Sequence, residues 1–159
     1  LVLLYPLLKR FTYWPQLGLG LIFNWGVLIV AVQFMETITF DFLLLYLGCI
    51  FWTLAYDTIY AYQDVKDDIK HNIKSTAVLF GEKGHKYVII FYSLFFIIIG
   101  LLGFYSSQSL FSLIVIIVLI FAMGLYLNKW KLNSVNSSNH YFKFNNIIGL
   151  LCFLYLFIF

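Results

Sequence analysis

The stretch that decides the fold is residues 40–68, which read FDFLLLYLGCIFWTLAYDTIYAYQDVKDD. Residues 40–62 are apolar and long enough to cross the hydrocarbon core of a membrane as one helix, which takes about 20 residues. The end of the stretch carries Asp57, Asp64, Asp67 and Asp68, which we call the acidic cluster. The stretch therefore predicts a transmembrane helix with concentrated negative charge at one end.

The rest of the chain has the same apolar character, because 63% of the 159 residues are hydrophobic and only 11% are charged. Soluble domains carry about 25% charged residues, so a water-soluble fold is excluded. Residues 15–34, 87–105, 110–128 and 141–159 are further apolar runs of spanning length, and residues 1–8 resemble the end of an earlier helix. We predict an all-α, multi-span transmembrane bundle in a single domain, residues 1–159.

The basic residues predict the orientation of these spans. All ten Lys and Arg residues precede the first span, lie between the second and third or the fourth and fifth, or, in the case of Lys143, lie in the first turn of the fifth. These loops alternate along the chain and therefore share one face of the membrane, which the positive-inside rule makes cytoplasmic. We predict that the acidic cluster lies on that face. The small net charge of +3 gives no indication of a nucleic-acid partner.

One helix continuing through residues 57–68 would bring most of the acidic cluster together. At about 100° per residue, Asp64 and Asp68 lie about 20° to either side of Asp57, and Asp67 lies about 80° away. Stacked carboxylates repel each other unless a cation lies between them. Oxygen ligands favour Mg²⁺ or Ca²⁺, and Mg²⁺ often binds substrate phosphates as well. The alternative is an ordinary solvated helix end, as most charge clusters are.

Two basic segments could contact such a phosphate group. Lys9 and Arg10 precede the first span, and Lys74 begins Lys74-Ser75-Thr76 after the acidic cluster. The second segment is similar to the end of a P-loop, but it lacks the preceding strand and glycine-rich run, so nucleotide binding is not supported. Ser75 or Thr76 is better interpreted as the N-cap of a short helix that extends to residues 79–80.

Three stretches together carry a resemblance to a known family. They are Tyr5-Pro-Leu-Leu-Lys9-Arg10-Phe-Thr with Pro15-Gln16 and Leu17-Gly18; Asp57-Thr-Ile-Tyr-Ala through Asp64, Asp67 and Asp68; and Ile73-Lys-Ser-Thr-Ala through Phe80-Gly81. In order, spacing and topology they resemble the UbiA superfamily of intramembrane prenyltransferases, and within it the 4-hydroxybenzoate polyprenyltransferases. The resemblance runs nearly end to end. It implies the C-terminal portion of a nine-helix bundle around a cavity open to membrane lipid.

The resemblance also implies an activity. The family transfers a polyprenyl chain from polyprenyl diphosphate to the ring of 4-hydroxybenzoate in ubiquinone biosynthesis. The cofactor would be Mg²⁺, bound by Asp64 and Asp68 with Asp57 or Asp67 assisting. The protein would lie in the bacterial inner membrane, or in the mitochondrial inner membrane of a eukaryote, with the acidic cluster on the cytoplasmic or matrix face.

The basic residues acquire specific roles from the same resemblance. Tyr5 and Lys9 match the family's Tyr-x-x-x-Lys element and lie one helical turn apart. Tyr5, Lys9 and Arg10 are the expected catalytic group. Lys9, Arg10 and Lys74 are the expected diphosphate and substrate ligands, with Arg10 assigned to the benzoate carboxylate. Without the resemblance, positive-inside anchoring would be a sufficient explanation of Lys9 and Arg10.

The chain departs from the family pattern in one respect. The family has two aspartate-rich motifs, and the first has no counterpart in this sequence, so we expect the chain alone to be inactive. Two alternative functions stay open: a UbiA-type transferase acting on naphthoate, homogentisate or haem, and a non-catalytic ion-handling or scaffold membrane protein. Asp-x-x-Tyr-Ala together with Lys-Ser-Thr-Ala favours 4-hydroxybenzoate. The prenyl chain length and the oligomeric state are not predicted.

Overall fold

A computed structural model describes residues 5–159 of the protein, with side chains described from Leu7 onward. The described residues form ten α-helices and one 3-10 turn, without a strand. The helices are α1 (Tyr5–Phe11), α2 (Pro15–Phe23), α3 (Trp25–Met35), α4 (Phe40–Ala61), α5 (Val65–Lys70), α6 (Thr76–Phe80), α7 (Gly84–Ser107), α8 (Leu110–Leu127), α9 (Val135–Lys143) and α10 (Asn145–Ile158), and the 3-10 turn is Gly81–Lys83. The predicted all-α class is confirmed.

Five stretches are long and apolar enough to cross a membrane: Pro15–Met35, Phe40–Ala61, Thr76–Ser107, Leu110–Leu127 and Val135–Ile158. The protein is therefore an integral membrane protein, and the predicted number of spans is confirmed. The third and fifth stretches begin earlier than predicted, because the short helices α6 and α9 lead directly into α7 and α10. The predicted helix end at residues 1–8 agrees with α1 from Tyr5 onward, while residues 1–4 lie outside the described residues.

Helix α4 lies at the centre of the bundle and packs against α7, α2, α9 and α3. Its buried face includes Thr53, Leu54 and Ile59. Next to this face, the indole of Trp52 stacks on Phe95 of α7, with ring centroids 5.3 Å apart. Contacts on several sides hold α4 in place, and α4 carries Asp57. The outer helices have less to bury: α8 exposes Ile117 and Phe121, as expected of a face in contact with lipid.

Two of the five stretches are broken at a single residue, at Asn24 between α2 and α3 and at Phe144 between α9 and α10. Side-chain amides bond the polar backbone at both breaks. Nδ2 of Asn24 donates to the carbonyl of Gly20 at 2.8 Å, and Nδ2 of Asn145 donates to the carbonyl of Phe142 at 2.7 Å. Irregular backbone at membrane depth is tolerated where it is buried in protein or lines a cavity. Asn24 at the first break, and Lys143 and Asn145 on either side of the second, line the cavity described below.

Candidate functional site

The acidic cluster does not lie on one continuous helix. Helix α4 ends at Ala61, residues 62–64 form a turn, and α5 begins at Val65. In the turn, the N–H groups of Gln63 and Asp64 bond to carbonyls only three residues earlier, at 2.9 and 3.2 Å. The prediction that one uninterrupted helix runs through residues 57–68 is therefore wrong.

Tyr62, the first residue of the turn, makes tertiary contacts at the break. The hydroxyl of Tyr62 donates a 2.5 Å hydrogen bond to the carbonyl of Gly81. The ring of Tyr62 packs edge-on against Trp130, with centroids 5.1 Å apart. Both partners are distant in sequence, and the Tyr62 side chain is buried between them. These tertiary contacts hold Tyr62 in place where α4 ends and the turn begins.

The carboxylates separate into one group and one isolated residue. Asp64 and Asp67 are exposed, whereas Asp68 is only 7% exposed. Burial raises the pKa of the Asp68 carboxyl, a hydrogen bond from Ser75 and the charge of Lys9 lower it, and the charges of Asp64 and Asp67 raise it further. Asp64, Asp67 and Asp68 thus interact as one charged group, in which a bound cation would favour the ionised form. Asp57 stands apart on α4.

Lys9 links the two parts of the acidic cluster. Its positive charge acts on both Asp57 and Asp68. Its backbone carbonyl accepts a 2.9 Å hydrogen bond from the N–H of Lys74, which ties α1 to the segment after α5. Arg10 follows on the same helix with an exposed side chain. Tyr5 lies in α1 as predicted, one helical turn before Lys9, but its side chain lies outside the described residues.

Lys74 contacts α1 and the residues that follow it. Its Nζ donates to the carbonyl of Phe11 at 3.2 Å and lies 5.5 Å from the centroid of the Tyr13 ring. The ammonium group therefore supports the C-terminal end of the helix that carries Lys9. A direct contact of Lys74 with diphosphate stays a prediction, and it requires Lys74 to exchange or share these partners.

Ser75 and Thr76 connect several elements around the acidic cluster. Ser75 caps α6 by accepting from the N–H of Val78 at 3.4 Å, which confirms the N-cap prediction. The Ser75 hydroxyl also donates to Oδ2 of Asp68 at 2.9 Å. The N–H of Thr76 donates to Oε1 of Gln16 at 3.1 Å. Sequence reasoning assigned neither Ser75 nor Gln16 to the site, although both lie in the stretches that carry the family resemblance.

A cavity of about 500 Å³ lies beside α4, between the breaks at Asn24 and Phe144. Its wall includes the rings of Trp52, Tyr56 and Phe142, and Lys143 is the basic residue in its lining among the described residues. Thr53 also lines the cavity, and Asp57 follows one helical turn later on the same face of α4. The family resemblance implied a cavity, but the sequence did not predict which residues line it, because its walls come from three separate parts of the chain.

Comparison with known proteins identifies the family of the chain. The model of the UbiA prenyltransferase family matches residues 1–148. The chain belongs to the UbiA prenyltransferase family. It is 41% identical, over 97% of its length and 54% of the relative's, to 4-hydroxybenzoate octaprenyltransferase of Francisella tularensis subsp. novicida.

A second relative, the mitochondrial 4-hydroxybenzoate polyprenyltransferase of Arabidopsis thaliana, is 53% identical over 52% of this chain and 20% of its own length. The UbiA-family chain thus spans about half the length of the Francisella relative that it matches. No solved structure matches the chain.

The donors in this UbiA-family chain fit a hard divalent cation. The side chains of Asp64 and Asp68 offer only oxygen atoms, and Mg²⁺ commonly takes one or two protein carboxylates together with waters and substrate phosphates. Between Leu7 and Phe159, no three His, Cys, Asp or Glu side chains form a group that could hold a metal ion. The acidic cluster therefore suits a site that is completed by phosphate oxygens and by further ligands.

Proposed function

We propose that the complete protein transfers a polyprenyl group from polyprenyl diphosphate to the ring of 4-hydroxybenzoate in ubiquinone biosynthesis. One observation carries the proposal: Thr53 of α4 lines an aromatic-walled cavity, and Asp57, which interacts with the charge of Lys9, follows one helical turn later on the same face. That arrangement suits a substrate with a charged head and an apolar tail. The names of the Francisella and Arabidopsis relatives support the same substrates.

The diphosphate end of the donor would bind at the acidic cluster. Asp64 and Asp68, with Asp57 or Asp67 assisting, would hold the divalent cation, which we propose to be Mg²⁺. When bound, Mg²⁺ supplies charge neutralisation of the diphosphate oxygens and so lowers the barrier to its departure. Lys9 would add a positive charge on the same side, because it already interacts electrostatically with Asp57 and Asp68.

The reaction would take place where the cavity meets the acidic cluster. The bond between the allylic carbon and the diphosphate oxygen breaks, and the diphosphate leaves with the bonding electrons. The ring carbon beside the phenolic hydroxyl forms the new carbon–carbon bond and then loses its proton to the departed diphosphate. Trp52, Tyr56 and Phe142 would shield the allylic cation from water.

The acceptor carboxylate needs a cationic partner. We propose Arg10, as the family resemblance implies, together with Lys143, because Lys143 lines the cavity in which the acceptor ring would lie. A carboxylate is bound by Arg in a bidentate arrangement and by Lys as a point charge. Single substitutions of Arg10 and Lys143 separate the two contributions.

We further propose that the acidic cluster faces the cytoplasm of a bacterium, across its inner membrane, or the matrix of a mitochondrion. The distribution of Lys and Arg over alternate loops supports this orientation. Magnesium-dependent turnover by residues 1–159 alone would contradict our prediction that the chain is inactive by itself.

The test of the acceptor is a transfer assay in membranes that contain the complete protein. The donor is polyprenyl diphosphate with Mg²⁺, and the acceptors are 4-hydroxybenzoate, a dihydroxynaphthoate, homogentisate and haem. We expect product with 4-hydroxybenzoate only. Product with another acceptor only would replace this assignment by a different member of the same family.

The non-catalytic alternative requires a separate comparison. Asp64→Ala should abolish transfer, because a proposed cation ligand is lost. Asp41→Ala removes a carboxylate from the first turn of α4, at the opposite end of the helix from Asp57, and should leave transfer unchanged. Equal activity of Asp64→Ala and the wild type would support an ion-handling or scaffold role instead.

A further inference from the structure

The turn at residues 62–64 leaves the position of Asp68 relative to Asp57 undetermined by helical geometry. In a continuous helix, 3.6 residues per turn would fix the directions of both side chains. Here the two carboxylates belong to different helices, α4 and α5. A shared cation site nevertheless needs its ligands at a constant separation. Contacts other than those of one helix must therefore hold Asp68 in place.

Ser75 and Thr76 provide these contacts from one short segment. The Ser75 hydroxyl donates to Oδ2 of Asp68 at 2.9 Å. The hydroxyl oxygens of Thr76 and Thr58 lie 2.8 Å apart, and Thr58 is the residue that follows Asp57 in α4. Two consecutive residues thus connect Asp68 to the immediate neighbour of Asp57, which bridges the break in the helix.

Burial makes this connection rigid. Ser75 is 1% exposed, and Thr58 and Thr76 are 0% exposed. The side chain of Gln16, 2% exposed, accepts from the N–H of Thr76 and so attaches the segment to α2 as well. A buried polar group left without a hydrogen-bond partner raises the free energy of the folded protein. Because water does not reach these groups, breaking the bonds is unfavourable. The network has few alternative arrangements.

The hydroxyl of Ser75 has a defined direction. Its oxygen accepts from the N–H of Val78 in the first turn of α6, and its single proton is donated to Asp68. A hydroxyl has one proton to donate, so these two partners determine how it is oriented. The hydrogen bond then restrains the position of Oδ2 of the Asp68 carboxylate.

We infer that Ser75 and Thr76 are positioning residues that hold Asp68 and Asp57 in register for a divalent cation, with Gln16 anchoring their segment to α2. The inference rests on the proposed function only for the presence of the cation. It names no new ligand: Ser75 acts through Asp68, and Thr76 acts through Thr58. Residues that orient metal ligands from outside the coordination sphere change metal affinity by about 10–100-fold when they are replaced.

The experiment measures Mn²⁺ binding by electron paramagnetic resonance, with Mn²⁺ in place of Mg²⁺ and inorganic diphosphate as the phosphate probe. The complete protein in detergent is compared with Ser75→Ala, Ser75→Thr and Ser112→Ala. Ser112 is the matched control, since it is a buried serine like Ser75. Its hydroxyl donates to the backbone carbonyl of Ser109, the residue before α8, and not to a carboxylate.

We expect Ser75→Ala to weaken Mn²⁺ binding by at least about tenfold, and Ser75→Thr to restore it because threonine keeps the hydroxyl. Ser112→Ala should bind Mn²⁺ as the wild type does. If Ser75→Ala fails to fold, Thr76→Val serves instead, since it keeps the side-chain shape and removes the hydroxyl that contacts Thr58. Wild-type affinity in the folded member of this pair would overturn the inference.

The outcomes also separate this inference from the proposed function. Weakened Mn²⁺ binding by Ser75→Ala in a protein that prenylates a different acceptor supports the positioning role and rejects 4-hydroxybenzoate as substrate. Wild-type Mn²⁺ binding by Ser75→Ala in a protein that prenylates 4-hydroxybenzoate rejects the positioning role and supports 4-hydroxybenzoate as substrate. A wild-type protein that binds no Mn²⁺ in the presence of inorganic diphosphate contradicts both the cation site and the positioning role.

Discussion

The indole Nε1 of Trp52 donates a 3.1 Å hydrogen bond to Oδ1 of Asn145, which joins α4 to the first residue of α10. The same oxygen accepts a 2.6 Å hydrogen bond from the hydroxyl of Tyr92 in α7. Three helices therefore meet at one side-chain oxygen, next to the break at Phe144. Trp52 and Asn145 both line the cavity beside α4, so this contact also shapes the cavity wall.

Replacement of Asn145 by leucine should destabilise the protein. The substitution leaves the N–H of Trp52 and the hydroxyl of Tyr92 without this acceptor, and an unsatisfied buried polar group costs about 1–3 kcal/mol. We expect the melting temperature in detergent to fall by several degrees. Asn146→Leu is the control, because Asn146 is exposed in the cavity lining. Equal melting temperatures of the two variants would refute a structural role of Asn145.

Asp57 should contribute more to turnover than Asp67. Asp57 is half-buried one helical turn beyond the cavity wall, whereas Asp67 is exposed on α5. We expect Asp57→Asn to lower kcat/KM by about 100-fold, as the loss of one electrostatic contact at a reacting group commonly does. Asp67→Asn should change it by less than about tenfold. Both variants remove one negative charge, so a larger loss in Asp67→Asn would identify Asp67 as the assisting ligand.

Lys9 should affect donor binding more than Lys74. The charge of Lys9 acts on both Asp57 and Asp68, whereas the ammonium of Lys74 donates to the carbonyl of Phe11. We expect Lys9→Met to raise KM for polyprenyl diphosphate by at least about tenfold, equivalent to about 1.4 kcal/mol. Lys74→Met should raise it less and mainly lower the melting temperature, because α1 loses a contact. The reverse order would establish Lys74 as the direct diphosphate ligand.

Lys143 and Arg10 can be separated by their effects on the acceptor. Lys143 lines the cavity, and Arg10 is exposed on α1. If Lys143 binds the acceptor carboxylate, Lys143→Ala raises KM for 4-hydroxybenzoate by about tenfold and leaves KM for polyprenyl diphosphate unchanged. We expect a smaller rise from Arg10→Ala. Methyl 4-hydroxybenzoate lacks the charge and is the control substrate: an equal rise with the ester would contradict carboxylate recognition by Lys143.

Several local features could be predicted because neighbouring residues determine them. The predicted span at residues 40–62 agrees with Phe40–Ala61 to within one residue, since an apolar run of that length needs no partner to be identified. The N-cap at Ser75 is likewise local, because its hydroxyl bonds an N–H only three residues later. The break after Ala61 could not be predicted, since no glycine or proline marks it and the contacts of Tyr62 with Gly81 and Trp130 come from distant positions.

The sequence by itself determined the class of protein, the number of spans and the chemical character of the acidic cluster. These depend on composition and on spacings of a few residues. Only the tertiary structure decided which groups share a site. The turn at residues 62–64 interrupts the helix between Asp57 and Asp68. Buried hydrogen bonds of Ser75 with Asp68 and of Thr76 with Thr58 link α5 to α4 instead. Such bonds depend on the packing of separate helices, and no spacing within one segment encodes their geometry.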